Sequence, residues 1–348
     1  MERIDGQRKK FGNTKKFAVF MAVGAAALVA MMFLFMRFGA ENVSSADVWN
    51  ALFAFDGDNF NHIVVRDMRL PRLLADIMVG VSLALAGAVM QGNTKNPMAD
   101  SGIMGISSGS IFAIVLVMTF LPGVSRLERI AFSCAGAAVA TLLIYAVALM
   151  GRRGITAERM VLSGMAISTL FNSVTSAVVL KDGTSALMLK YTAGSSANTI
   201  WPDVYIAAPF FVAGLVVALM ISRSLTVMNL GDDVSKGLGA NTKLIKLLCT
   251  VVVLVLSAIA VIIIGPVSYA GLMVPHIVRY FVGTDYRLIL PSCAVLGAVL
   301  VVFVDFLARV LIAPLEFPVG ILITIIGVPF FIFISRRQKL SLIHISEP

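Results

Sequence analysis

The sequence predicts an all-α membrane protein that crosses the bilayer about ten times. Three observations carry that prediction. The 348-residue chain is 59% hydrophobic and only 14% charged, whereas a soluble domain is about 25% charged and roughly 45–50% apolar. Apolar stretches of about 18 or more residues recur along the whole chain, and one spanning helix needs about 20. Lysine and arginine are distributed unevenly among the segments between those stretches.

Spans are expected near residues 17–36, 73–91, 102–121, 130–150, 159–180, 201–221, 244–264, 267–282, 288–308 and 318–334. The first follows a basic arm, residues 1–16, and lacks a small-residue cleavage site, so it reads as a retained helix. The second holds "GVSLALAGAVMQG" and the fourth "AGAAVATLL", small residues that let helices approach closely in lipid. The third follows "NPMADSGIMGISSGS", broken at Asn96 and Pro97. The fifth, "SGMAISTLFNSVTSAVV", is polar for a span and suits a buried or cavity-facing helix. The eighth, "GPVSYAGLMVPHIVRYFVG", carries breaks at Gly265, Pro266 and Pro275. Irregular backbone at membrane depth has to face protein or a water-filled cavity, and paired broken segments point to a translocation path.

With the N-terminus inside, the inner segments hold six basic residues in the arm, then Lys95; Arg152, Arg153 and Arg159; Arg223, Lys236, Lys243 and Lys246; Arg279 and Arg287; and Arg336, Arg337 and Lys339. These are 19 of the 28 lysines and arginines, which predicts a multi-pass protein with both termini cytoplasmic. The same bias accounts for the net charge of +9 without nucleic acid and places the arm beside anionic lipid.

No P-loop, HExxH, GxSxG or metal-spaced His/Cys cluster is present, so any ATP site has to come from a partner chain. Cys134, Cys249 and Cys293 lie in apolar stretches without CxxC spacing and read as small packing residues. Arg66, Arg69 and Arg72 precede the second span, on the outer side by this topology. They suit either an acidic partner or a solvated helix start with Asp67 and Asp76 as counter-ions. Asp305 and Arg309, four apart, share a helix face and could pair, as a functional group or as an interfacial ion pair. The longest inner loop contains "LGDDVSKGLG", which could form a short helix ended by Gly237 or Gly239, or a plain solvated loop.

Three stretches together resemble the signatures of the FecCD-type permeases, the membrane subunits of bacterial ABC importers for iron–siderophore, haem and vitamin B12. They are "RLPRLLADIMVGVSLALAGAVMQGNTKNPMADSGIMGISSGS" (69–110), "GPVSYAGLMVPHIVRYFVGTDYRLILP" (265–291) and "DFLARVLIAPLEFPVGILITIIGVPFFIFI" (305–334). The resemblance runs over about residues 17–337, and the closing residues 338–348 fit no family motif. It implies a type II ABC importer permease fold in the bacterial cytoplasmic membrane. The implied partners are a second, identical or paralogous permease, two ATPase subunits that hold the ATP and magnesium, and an extracytoplasmic substrate-binding protein. No cofactor is implied on this chain. By the resemblance Arg69, Arg72 and Arg309 match outward arginines that meet glutamates of the binding protein. Gly231, Asp232, Asp233, Lys236, Gly237, Leu238 and Gly239 match the segment that contacts the ATPase. His276 is expected to pack or hydrogen-bond rather than bind iron, since a ferric siderophore arrives fully chelated. An artefact at the end of the reading frame is one origin expected for the tail.

Two other classes fit less of the sequence. An ion-coupled secondary transporter needs intramembrane carboxylates, for which only Asp305 and Asp76 are placed. A membrane-embedded enzyme needs convergent His, Cys or acidic groups that the spans do not supply.

Overall fold

The structure is a computed structural model that describes residues 2–39, 41–100, 105–121, 123–150, 157–182, 193–313 and 315–345. Arg152, Arg153 and positions 101–104 of the broken segment before the third span lie outside those residues, as do 346–348 of the tail.

The described residues form helices and connections. These are α1 (Glu2–Arg37), α2 (Ser45–Phe53), α3 (Phe60–Ile63) leading through a π-helical stretch (Val64–Arg69) into α4 (Leu70–Thr94), α5 (Ile106–Phe120), α6 (Arg126–Leu149) and α7 (Ala157–Asp182). There follow α8 (Trp201–Met228), α9 (Asp232–Gly237), α10 (Thr242–Ile263), α11 (Ala270–Val282), α12 (Tyr286–Val310) and α13 (Val319–Ile345). Among the described residues, seven helices are long and apolar enough to cross a membrane, and three shorter apolar helices, α5, α11 and the Val319–Ile334 part of α13, accompany them. The ten match the ten expected spans one for one. The broken eighth span is the 13-residue α11.

Helix α4 is the axis of the bundle. Of the apolar window in Phe60–Thr94, 89% is buried, against 11% in α1. Small residues make that position possible. A Cβ on Gly80 would overlap the Gly297 carbonyl of α12, and one on Gly87 would overlap the Gly271 carbonyl of α11. In lipid, where apolar surface gains little by leaving the solvent, such backbone approach is what holds helices together. Around α4 one core gathers Leu85, Val89, Leu225, Leu256, Ile289 and Leu290, and a second gathers Val79, Ile259, Ile264, Val304 and Ile323.

Helix ends are closed by side chains. Ser125 and Glu128 form a reciprocal capping box on α6, with Ser125 N donating to Glu128 Oε2 at 2.8 Å. Asn241 Oδ1 accepts from Leu244 N at 3.2 Å and caps α10. Lys95 ends α4 in the left-handed region, φ 52°.

Candidate functional site

Four features of the bundle bear on function: a buried arginine cluster at one end, a broken joint between α10 and α11, a polar stripe on α7 and a short helix at the other end.

At the first end α1 finishes, α4 begins and α12 finishes. A helix C-terminus leaves carbonyls without partners and carries partial negative charge. Two arginines close α1. Arg69 Nη1 donates to Met36 O at 2.6 Å and its Nη2 donates to Glu41 O. Arg309 Nη2 donates to Phe35 O at 3.0 Å, with its guanidinium 3.7 Å from the Phe35 ring centroid. Arg72 turns inward. Its Nε and Nη2 grip Asp305 at 2.7 and 2.6 Å, its Nη1 reaches both oxygens of Glu316 at 2.8 and 2.9 Å, and Ser196 Oγ lies 3.2 Å away.

The sequence therefore brings Arg69, Arg72 and Arg309 to one end, but all three are buried in the single chain. Two expectations change here. Asp305 pairs with Arg72 across the bundle rather than with Arg309 on its own helix, because Arg309 is drawn to the end of α1. Asp76 is fully buried, so it is no solvated counter-ion.

Between α10 and α11 the backbone turns through Gly265 (φ 100°) and Tyr269 (φ 70°). Ile264 O at its start accepts from Ser195 N at 2.7 Å, and the adjacent Gly194 O accepts from Gly320 N of α13 at 3.1 Å. A Cβ on Gly320 would lie 2.9 Å from Pro266 O, so the joint is packed on α13. Pro275 was expected to break the chain and does not. It sits inside α11, and the carbonyl it leaves unpaired, that of Gly271, accepts from Gln91 Nε2 at 3.2 Å. At the other break, Asn96 Oδ1 accepts from Met98 N at 3.0 Å, an Asx turn that leads the chain away from α4 through Pro97.

Helix α7 exposes Thr169, Asn172, Ser173 and Ser176 on one face. The three hydroxyls donate to the carbonyls of Met165, Thr169 and Asn172 at 2.8 Å each. The Asn172 amide has no partner among the described residues. An amide in hydrocarbon without a hydrogen bond is costly, so this face belongs against water or another polar surface. The sequence showed the span's polarity but not which of its residues share a face.

At the second end α9 hangs between α8 and α10. Gly231 (φ 122°) and Gly239 (φ 78°) make the turns at its two ends. Ser235 is fully buried and its Oγ donates toward Val227 O (2.9 Å) and Gly231 O (2.6 Å), fixing α9 to the end of α8. The segment presents Leu230, Val234 and Leu238, all at least half exposed and four residues apart. Of these only Leu238 stood out in the sequence. Asp232 and Asp233 form the first turn of α9, Lys236 the last, and a Cβ on Gly237 would meet nothing within 4 Å.

The base of α9 is tied to the axis. Thr226 Oγ1 donates to Asp285 Oδ1 at 3.1 Å and accepts from Tyr286 N at 3.0 Å, and Asn229 Nδ2 donates to Gly92 O at 3.4 Å. Hydrogen bonds from Arg287 hold the Asp285 carboxyl below the usual carboxylate range. Arg279, counted among the inner-side basic residues, turns inward to Gln91 Oε1 and to the Tyr286 hydroxyl at 3.2 Å. His276 packs edge-on against Phe330, with ring centroids 6.1 Å apart.

Comparison with known proteins matches this architecture. Residues 27–337 fit the sequence model of the FecCD transport family. The iron(3+)-hydroxamate import system permease protein FhuB of Bacillus subtilis is 39% identical over 324 residues, 93% of this chain and 84% of that protein. The Fe(3+)-citrate import system permease protein YfmD of the same organism is 38% identical over 316 residues, 90% of this chain and 94% of that protein. A solved metal-chelate type ABC transporter in an inward-facing conformation superposes with a TM-score of 0.78 at 26% identity, covering 91% of this chain and 98% of that one.

Proposed function

Because the chain belongs to the FecCD transport family, we propose that it carries ferric siderophores across the bacterial cytoplasmic membrane, worked by ATPase subunits on separate chains. A multi-pass permease of the metal-chelate ABC type is what the relatives and the helices support directly. Cargo, partners and orientation belong to the proposal.

The α7 stripe is the observation that carries the transport reading. Hydroxyl and amide groups without charge line a surface that suits water and a bulky solute, and offer weak contacts rather than a tight pocket. A ferric siderophore brings its iron already ligated, so such a path needs no metal ligands. Specificity then rests with a substrate-binding protein outside. The cargo class rests on FhuB and YfmD; haem and vitamin B12 are the alternative cargoes for the same architecture.

In this reading the α9 end faces the cytoplasm, and both termini lie there too. The apolar tips Leu230, Val234 and Leu238 sit in an ATPase groove, with Gly237 free to approach it closely. A push on α9 passes through Ser235 to α8, then through Thr226–Asp285 to the start of α12 and through Asn229 to the end of α4. An identical or paralogous permease completes the path. At the opposite end Arg69, Arg72 and Arg309 form a cationic floor beneath a docked binding protein.

Uptake of labelled ferric hydroxamate, ferric citrate, haem and cobalamin in a deletion strain tests the cargo. Loss of one iron chelate alone is expected; loss of cobalamin or haem alone would reassign it. Vesicles holding the permease with and without the ATPase test the engine, and transport by the permease alone would end this reading. Val234→Asp with Leu238→Asp is expected to abolish ATPase co-purification while the permease stays folded.

A further inference from the structure

Helix α2 leaves an aromatic face uncovered. Trp49 and Phe53 are 65% and 70% exposed, Leu52 is exposed beside them, and the two rings lie 4.5 Å apart between centroids. At about 100° per residue, apolar positions take more than half the helix, through Ala51, Val48, Leu52, Trp49, Phe53 and Ala46, with Ser45 of the first turn as the one polar residue inside that arc. Val48 and Ala51 are buried and hold α2 to the bundle. Asp47 and Asn50 take the remaining arc, and Asn61 Nδ2 donates to Asp47 Oδ2 at 3.0 Å.

Several contacts keep α2 close to the end of the bundle. Val43 N donates to Arg37 O at 2.9 Å, which folds the connector back onto the last turn of α1. That helix is the peripheral span, with Val19, Val23 and Val29 exposed along it and Arg37 exposed at its end. A basic residue closing an apolar span marks a bilayer boundary, where long cationic side chains reach water. The chain's other tryptophan lies at the same end. Trp201 Nε1 donates to Arg66 O at 3.0 Å in the π-helical stretch against which α2 packs, and its ring stacks on exposed Tyr205. Tryptophan and tyrosine collect where the bilayer meets water.

We propose that α2 is an interfacial helix: Trp49, Leu52 and Phe53 enter the boundary between lipid headgroups and acyl chains, and Asp47 and Asn50 face water. The occupant of the uncovered face is lipid, because that face is tied to the end of the most lipid-exposed span and carries the residue types of a membrane interface. The helix thereby steadies the end of α1 at which Arg69 and Arg309 are held.

Tryptophan quenching in the intact protein, reconstituted in lipid nanodiscs, tests this. In Trp201→Phe, Trp49 is the sole tryptophan. Lipids brominated near the headgroup end of the acyl chain are expected to remove most of its emission, while aqueous iodide removes little. Strong iodide quenching with no effect of bromolipid would overturn the proposal and mark the face as a site for a soluble protein. If Trp201→Phe fails to fold, the difference between wild type and Trp49→Phe gives the same reading of Trp49. If the emission that Trp49→Phe removes is insensitive to bromolipid in the wild type, the proposal is also overturned.

Discussion

The side-chain amide of Gln91 donates to the carbonyl oxygen of Gly271 at 3.2 Å, the carbonyl that Pro275 deprives of its helical partner. Through Gln91 Oε1 the same side chain receives Arg279, so one amide satisfies a helix defect and a cation together. Gln91→Leu leaves the Gly271 carbonyl without this donor and Arg279 with the Tyr286 hydroxyl alone, and is expected to destabilise the protein by about 1–3 kcal/mol. In a Pro275→Ala background the restored N–H can serve Gly271, and the cost of Gln91→Leu is expected to shrink. Thermal unfolding of the four proteins in one detergent measures this coupling. An equal cost in both backgrounds would show that Gln91 acts elsewhere.

Gly87 and Gly237 are predicted to respond oppositely to the same change. A Cβ on Gly87 meets the backbone of Gly271 on α11, so Gly87→Ala has to separate two helices and is expected to cost about 1–3 kcal/mol or more. At Gly237 a Cβ meets nothing and the φ is not positive, so Gly237→Ala is expected to leave unfolding unchanged. Gly237→Trp is then informative about partners, because a loss of uptake without a loss of stability locates the fault in the ATPase contact. Melting curves and uptake assays on the same preparations separate the two effects.

These contrasts mark where the sequence was legible. The ten spans could be placed because hydrocarbon thickness imposes an apolar length on every helix. For α9 the sequence offered a short helix ended by Gly237 or Gly239 beside a plain solvated loop, and the helix forms, ending at Gly237 with the turn made at Gly239 (φ 78°). The Gln91–Gly271 bond, 180 residues apart, and the Arg72–Asp305 pair, 233 apart, were not, because local spacing carries no information about which helices become neighbours. Spacing pointed instead to Asp305 and Arg309, and the open carbonyls at the end of α1 decided otherwise. Val234 went unnoticed because one apolar residue among charges reads as loop until its exposure is known.

Arg72 and Asp305 are predicted to be a structural pair whose loss is asymmetric. Arg72→Met leaves Asp305 buried without its two guanidinium bonds, for an expected cost of about 3–5 kcal/mol. Arg72→Met with Asp305→Leu removes both charges and is expected to recover most of that loss. Unfolding temperatures of the single and double variants check it, and a double variant no better than the single would show that the cluster depends on more than this pair. A charge reversal at Arg72 therefore perturbs the fold first, and binding-protein docking is better probed at Arg69 and Arg309 with lysine, which keeps the charge.

The polar face of α7 is predicted to be wet. In a Cys134→Ala background the other native cysteines, Cys249 and Cys293, are buried, so an introduced thiol is read alone. Ser173→Cys and Ser176→Cys are expected to react with a membrane-impermeant thiol reagent in sealed vesicles that hold the assembled importer. Val23→Cys, on the lipid-exposed α1, is expected not to react. If the stripe lines the path, excess ferric siderophore slows the reaction at Ser173→Cys and Ser176→Cys. Should both thiols stay as inert as Val23→Cys, the stripe is shielded from water by lipid or by another subunit, and the path has to run along a different helix face.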